Sequence, residues 1–585
     1  MASNLIHSFD SVEIDRLVDF FKIYPIWKEI PSIKKNKFNR VPLDIDSIDA
    51  HFIGYQSDEK IFKSYLHWVF KLGKAIILKI RGYEHLIPIY YKQIEIFNRE
   101  IKFSTTAYKR PFNYDWFHFS VTYPMLLAQC IIVSRLYALD RYTFVVLCAQ
   151  IILQFIPDID TSIGYKREGS NMVLMSIPHF IAKWVLNETP NIANYLLRLD
   201  KIDYVKAGKS GLLSDGTYLF HKSLRAYNYL FVYLPAAVFY NRLVGLDIFN
   251  IEERFKFLEK IFHFGHYRVH PSIVTRAGSF LQMYTDLKNT LDIAPDLLPR
   301  AASLLANPNL QTFGIYEFPE GHFISAIYPE WSCTIVSNCE YNPVECDIYN
   351  GRLLRQIWQS KIINYSESIE KFTEDLLYPG IFFNSENKYK SEDLYSKLND
   401  YRFDSVVYGQ KSCSSYGITY SVIKNKIFQI EYTEICLVSS VGLIVCYLNI
   451  VHPDEKRHFL CTSNNDSLAK RKIYSRVLYN DFNQIGNQDD DVSNDLNINQ
   501  IEELYKEREI KYIMCGKNVI YFNGLSSPDV LACQLTLANS NNLSLKLTIN
   551  NDNFNIFVKN DRLKQSLNMG PLEKIPLTVV KFQGG

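Results

Sequence analysis

Four stretches in the first half of the chain gather polar side chains among apolar ones. They are NYDWFHFSVTYP (113–124), YKREGSNMVLMSIP (165–178), DGTYLFHKSLRAYNY (215–229) and YRVHPSIVTRAG (267–278). Each sits where a loop enters a helical pattern. The residue types are those of proton transfer and anion binding. His221 and Tyr229 can each take or give a proton, Asn171 carries an amide donor, and Arg276 carries a lasting positive charge. Singly, each has a bland reading. A histidine at a helix start is usually a cap, and a tyrosine in an apolar run is usually core with its hydroxyl bonded. An asparagine beside a glycine is usually a turn residue, and Arg276 and Trp116 would ordinarily be an ion-pair and a core residue. The same stretches hold the carboxylates Asp115, Glu168 and Asp215. Glycoside hydrolysis on a helical scaffold needs two carboxylates facing one bond, and no clear pair stands out among these three.

The elements that must position these residues change character along the chain. SVEIDRLVDFFKIY, EKIFKSYLHWVFKLGKAIILKI, LIPIYYKQIEIFNREI and IEERFKFLEKIFHF all place apolar residues at three and four spacing, the helical period. Short polar or Gly/Pro connections separate them, which favours antiparallel helical hairpins in series. In such an arrangement the loops at one end converge on a cleft. No fixed-period repeat is visible, so a regular solenoid is disfavoured.

Past residue 310 the pattern alternates instead. QTFGIYEF, HFISAIY, SCTIVSN, ITYSVIK, KIFQIEYTEICLV and GLIVCYLNIV are rich in β-branched and aromatic residues. The polar run NQIGNQDDDVSNDLNINQ (483–500) reads as a loop or linker. KYIMCGKNVIYF, LSLKLTIN and FNIFVKN read as further strands. The expected organisation is a helical unit over 1–308, an antiparallel β-sandwich over 309–482 and a C-terminal β unit over 501–585. The change from helix to sheet is expected between about 300 and 315.

Composition narrows the function. The 585 residues carry 64 basic and 62 acidic side chains, a net charge of +2, which argues against nucleic acid as a bulk electrostatic partner. Aromatics reach 14%, with 40 Tyr and 38 Phe, enough to supply both cores and sugar-stacking faces. The 11 cysteines form no CxxC pair, and Cys333, Cys339 and Cys346 are too loosely spaced for a zinc site. No metal or cofactor is expected. The first residues show no basic region followed by an apolar core, so no signal peptide is expected. The apolar stretch from Met125 to Pro157 is broken by Arg135, Asp140 and Arg141, and reads as two core helices rather than a membrane span.

Taken together and in order, DWFHFSVTYP, GSNMVLMSIP, HKSLRAYNY and VHPSIVTRAG resemble the polysaccharide lyases of baculovirus envelopes that degrade chondroitin. They are more distantly similar to bacterial hyaluronate and chondroitin lyases. The resemblance covers about residues 110 to 280; the β half matches only in general architecture. It implies an incomplete α/α toroid followed by antiparallel β-sandwich domains, with a cleft between. It also implies a virion-envelope or secreted location. The baculovirus protein begins with a hydrophobic anchor, which is not seen here. The bacterial relatives have an Asn-Trp-Trp cluster where this chain has Asn113-Tyr114-Asp115-Trp116, so the stacking platform differs.

The resemblance also implies a chemistry: β-elimination on a uronic acid. Asn171 and His221 would neutralise the substrate carboxylate. Tyr229 would take the C5 proton and return it to the leaving oxygen. Arg276 would favour the phenolate and bind substrate charge, oriented by Glu345 or Glu340 from the β half. Trp116 and Phe117 would form the stacking wall with His118 beside them. Arg167, Arg225, Tyr227 and Arg268 complete the expected binding set for an anionic polysaccharide. The competing reading is a virion-surface protein that binds polysaccharide without cutting it.

Overall fold

The computed structural model describes residues 18–24, 58–104, 109–137, 141–186, 210–220, 224–244, 249–269 and 280–337, with single residues between, and strands from 361 to 581. Helices come first and antiparallel sheets after. Helix Glu59–Ile77 starts at Asp58, whose carboxylate accepts from the backbone N–H of Lys60 and Ile61. Its buried stripe includes Phe62, Tyr65, Leu66, Val69 and Phe70, the three-and-four spacing read from the sequence. Gly73 faces the helix Tyr123–Leu136, and a Cβ there would overlap the Gln129 amide. That closeness lets Gln129 accept from Tyr90 Oη and donate to the Phe70 carbonyl, both at 3.1 Å, so a fully buried amide is satisfied.

The apolar stretch from Met125 to Pro157 forms two helices, Tyr123–Leu136 and Tyr142–Phe155. The helical run His118–Leu136 has the length and apolarity to cross a membrane, but 89% of that stretch is buried inside the fold. Residues 18–23 form a helix between two others. The Phe20 ring lies edge-on to Phe239 at 5.4 Å, and Phe21 lies 6.5 Å from Phe70.

One expected helix is not continuous. Residues 251–264 divide into helix Ile251–Phe255, the 3₁₀ turn Leu258–Lys260 and strand Phe262–His263, which pairs with Arg268–Val269. Phe255, Phe257, Leu258, Ile261, Phe262 and Phe264 are all buried. On one straight helix Phe255 and Phe264 would point about 180° apart, whereas the broken chain turns both inward.

The last helix of this half is Pro299–Ala306, and the first long strand is Gly314–Phe318. A four-stranded antiparallel sheet runs in the order Lys361–Asn364, Trp331–Val336, Phe323–Ile327, Gly314–Phe318. It faces a ten-stranded sheet, and the contact is tight at Gly417. A Cβ there would lie 2.9 Å from Ile315 Cγ2 and 3.0 Å from Ile324 Cγ2.

The ten-stranded sheet centres on Ser405–Ser412, Tyr416–Asn425, Ile430–Ser439 and Gly442–Val451. Leu531–Leu537 pairs with Gly442–Val451, and Thr578–Lys581 pairs with Ser405–Ser412. These strands therefore join one sheet from both sides of the expected division at 482–501. The run 483–500, expected as linker, contains strands Gln484–Asn487 and Asp490–Val492, paired antiparallel at the sheet's edge. An edge strand has one unpaired side and tolerates polar residues there, so low hydrophobicity did not prevent pairing.

Candidate active site

Three of the four polar stretches meet around one short loop, Arg167–Ser170. It follows the hairpin Thr161–Ser162/Tyr165–Lys166, whose two-residue turn, Ile163-Gly164, has φ of 50° and 76°. Two positive φ values in succession give the turn that matches strand twist. The Arg167 N–H donates to the Asp160 carbonyl at 2.6 Å, which closes the base of the hairpin. Asp160 accepts from Lys166 at 2.6 Å and pairs with Arg198 at 2.7 Å, and Arg198 also holds Asp158. Burial alone would raise the Asp160 carboxyl, but the bonds from Lys166, Arg198 and Thr161 outweigh it and hold it at about 2.

On one side of this loop, the Arg167 guanidinium carbon sits 3.8 Å from the centroid of Trp116. This is cation–π contact, and it fixes a flat aromatic–guanidinium surface. Phe117 meets Trp116 edge-on at 5.7 Å. The chain reaches this point through Phe112 and Asn113, both with positive φ, after which Tyr114 packs on Phe62. Tyr165, which no motif marks, is 61% exposed, and its ring centroid lies 5.6 Å from the Arg167 guanidinium. A tyrosine on a two-residue hairpin was the only sequence signal for it.

On the other side, the loop holds Tyr229. Gly169 has φ +59°, and a Cβ there would meet Phe220 Cε2 at 3.0 Å. Phe220 stacks on Tyr229 with centroids 4.1 Å apart and planes 14° apart. Ser170 Oγ donates to the Tyr229 carbonyl at 2.9 Å. Asn171 follows at once, in the first turn of helix Ser170–Val185. Asn171 and Tyr229 are both only partly buried. An amide donor and a phenol are thus carried by adjoining segments, with the Trp116–Arg167 surface alongside.

Tyr229 lies in a short helical turn that follows directly on a small sheet. Tyr218–Phe220 and Leu224–Arg225 are antiparallel strands, with Phe220 opposite Leu224, and the helical turn begins only at Tyr227. His221 itself lies outside the described residues, as do Arg276, Glu340 and Glu345.

Three expected binding residues are placed elsewhere. His118 is buried, 3.4 Å from Glu59 and edge-on to Phe62, and burial lowers its pKa. It belongs to the core behind Trp116 rather than to a sugar-facing wall. Tyr227 is fully buried, and its hydroxyl donates to the Gly216 carbonyl at 2.8 Å. Arg225 is buried, and its Nη1 donates to the carbonyls of Gly321 and Ser337 in the β half. Arg268 is partly buried on the hairpin Phe262–Val269. Asp215, weighed as a hydrolase carboxylate, accepts from the backbone N–H of Thr217, Glu320 and Gly321, so both its oxygens serve structure. Among the described residues, no three His, Cys, Asp or Glu gather as a metal site.

The fold that carries this arrangement is one shared with polysaccharide lyases. A Streptomyces coelicolor chondroitin AC lyase, solved in complex with chondroitin sulphate, superposes with a TM-score of 0.58 at 11% identity, covering 93% of this chain and 86% of that one. The crystal structure of the baculovirus envelope protein ODV-E66, described as a novel chondroitin lyase, superposes with a TM-score of 0.57 at 14% identity, covering 95% and 87%. In sequence, the chain resembles Occlusion-derived virus envelope protein E66. It is 29% identical over 173 residues to the protein of Leucania separata nucleopolyhedrovirus, and 28% over 162 residues to that of Orgyia pseudotsugata multicapsid polyhedrosis virus. The matched stretches span 26% and 22% of those relatives' lengths. No family model matches the chain.

Proposed function

We propose that this chain is a polysaccharide lyase, associated with a virion envelope, that cleaves uronic-acid-containing glycosaminoglycan by β-elimination. The observation that carries the reading is the junction of Asn171 and Tyr229 at one loop, flanked by the Trp116–Arg167 surface. The shared fold with chondroitin lyases and the similarity to E66 envelope proteins support it. On this reading the helices before residue 308 form an incomplete α/α toroid, and the cleft opens toward the β half.

The C5 proton of a uronate is weakly acidic because the adjacent carboxylate resists further negative charge. Catalysis has to stabilise that charge and bring a base to C5. Asn171 donates its amide to the carboxylate, and His221 shares the task. Tyr229, as phenolate, takes the C5 proton. The C5–H electron pair becomes the C4–C5 double bond, the bond from C4 to the glycosidic oxygen breaks, and Tyr229 returns the proton to that oxygen. A free phenol has a pKa near ~10, so a neighbouring cation must favour the phenolate. Arg276 takes this role, oriented by Glu345 or Glu340. Trp116 and Phe117 stack on the sugar, while Arg167 and Arg268 bind its charge.

Incubation of purified protein with chondroitin and with hyaluronan tests the reading, following the ultraviolet absorbance of the unsaturated product. A lyase generates that chromophore. Reducing ends without it would indicate a hydrolase, and binding without either product a polysaccharide-binding protein; each of those two results rejects the lyase.

A further inference from the structure

The turn that precedes strand Tyr218–Phe220 is not a free loop. It is one of the places where the helical half grips the β half. Ser214 N–H donates to Glu320 Oε2 at 2.7 Å. Asp215 splits its oxygens: Oδ1 accepts from Thr217 N–H at 2.8 Å within the turn, and Oδ2 accepts from Glu320 and Gly321 N–H at 2.8 and 3.2 Å across the junction. Gly321 lies so close to Thr217 that a Cβ would overlap the threonine hydroxyl. From the far strand, buried Arg225 donates to the carbonyls of Gly321 and Ser337, at 2.9 and 3.1 Å. The Ser337 N–H in turn donates to the His322 carbonyl, closing the β-half side.

The same small sheet carries Tyr229. Phe220, one strand from Asp215, stacks on the Tyr229 ring. The Ala226 N–H donates to the Tyr218 carbonyl and the Tyr229 N–H to the Ala226 carbonyl, so Arg225 leads directly into the turn that presents Tyr229. Burying the full positive charge of Arg225 is costly unless hydrogen bonds compensate it, and here the Gly321 carbonyl accepts from Arg225 while the Gly321 N–H donates to Asp215, so the two side chains hold one residue of the β half from its two polar groups.

We propose that the β half positions Tyr229 through a clasp formed by Asp215 and Arg225. On the lyase reading, on which this rests, the two are positioning residues for the elimination and touch no substrate. The β half then has a use in catalysis beyond roofing a cleft. It sets where the phenol stands relative to Asn171.

Asp215→Asn is the selective probe. Its amide oxygen can still serve Thr217, so the turn survives. Its NH₂ would face the N–H groups of Glu320 and Gly321, so the cross-junction bonds are lost. Arg225→Met removes both donors, and Arg225→Lys restores a donor at the same place. Two measurements are made on each full-length variant: kcat and KM on chondroitin, and amide hydrogen exchange by mass spectrometry. Displacing a reacting group by about 1 Å can cost on the order of 100-fold. Asp215→Asn and Arg225→Met should lose at least about tenfold in kcat with KM nearly unchanged. Arg225→Lys should recover much of that loss. Exchange should rise in peptides covering 226–232 and stay unchanged in 123–136. Unchanged kcat and unchanged exchange at 226–232 would overturn the clasp, as would exchange rising equally throughout the chain. Wild-type protein that makes no unsaturated product would reject the lyase reading instead. The exchange pattern alone then decides the clasp: a rise confined to 226–232 sustains it, and any other pattern overturns it.

Discussion

Ser170 Oγ donates a 2.9 Å hydrogen bond to the backbone carbonyl of Tyr229, a residue 59 positions further along the chain. This bond seats the first turn of the helix bearing Asn171 against the segment bearing the phenol. A hydroxyl bonded in this way contributes about 1 kcal/mol. Ser170→Ala should therefore lower stability by roughly that amount, read as a denaturation midpoint. It should also lower turnover by more than that loss of folded protein explains.

Tyr229→Phe removes one oxygen and keeps the ring stacked on Phe220. If Tyr229 is both base and acid, turnover should drop by at least ~100-fold while polysaccharide binding persists. Initial rate and melting temperature measured on the same sample decide this. Activity near wild type would remove Tyr229 from the mechanism. Asn171→Ala should lose turnover as well, through poorer stabilisation of the charged intermediate.

The Trp116–Arg167 contact forms a surface rather than a reacting group. Arg167→Met and Trp116→Ala should raise KM by roughly three- to tenfold and leave kcat within about twofold, the pattern expected when uniform binding is lost. A kcat loss exceeding the KM change would place this pair in the chemistry.

Acid should weaken the hairpin that carries Arg167. The Asp160 carboxyl is held at about 2 in the fold, below its ordinary value. A carboxyl lowered on folding stabilises the protein above its unfolded pKa, and that stability fades as pH falls through the folded value. The loss from Asp160 should run from about pH 4 down to about pH 2. Asp160→Asn should flatten the acid limb of a plot of melting temperature against pH. An unchanged slope would mean that the Arg198 and Lys166 bonds do not hold in solution.

Asp286 should behave in the opposite sense. It is buried in helix Phe280–Ile293, and burial pushes its carboxyl well above the ordinary range, with Lys74 opposing. A carboxyl raised on folding contributes stability below its unfolded pKa, and that contribution is lost as pH rises toward the folded value. Asp286→Asn should therefore be nearly neutral near pH 4 and more stable than wild type at pH 7 and above. A variant less stable than wild type at neutral pH would show that the ionised Asp286–Lys74 pair is needed.

The sequence by itself determined the order of elements. The stripe Phe62, Tyr65, Leu66, Val69, Phe70 repeats at the helical period, and the alternation in ITYSVIK and GLIVCYLNIV repeats at the strand period. Both are short-range patterns, legible without knowing what lies opposite. Residues 251–264 misled for the same reason: their apolar spacing fits a helix locally, but burying every phenylalanine required breaking it. The hairpin within 483–500 was invisible because edge pairing needs backbone groups, not apolar side chains. The candidate site divides in the same way. Asn171 and Tyr229 were legible as residue types in motifs, and so was the aromatic Trp116. That Arg225 and Tyr227 face inward while Tyr165 faces out was decided only by tertiary structure. Burial of a polar side chain depends on whether a distant segment supplies its hydrogen-bond partner, as Gly321, Ser337 and Gly216 do here. No local spacing encodes that partner.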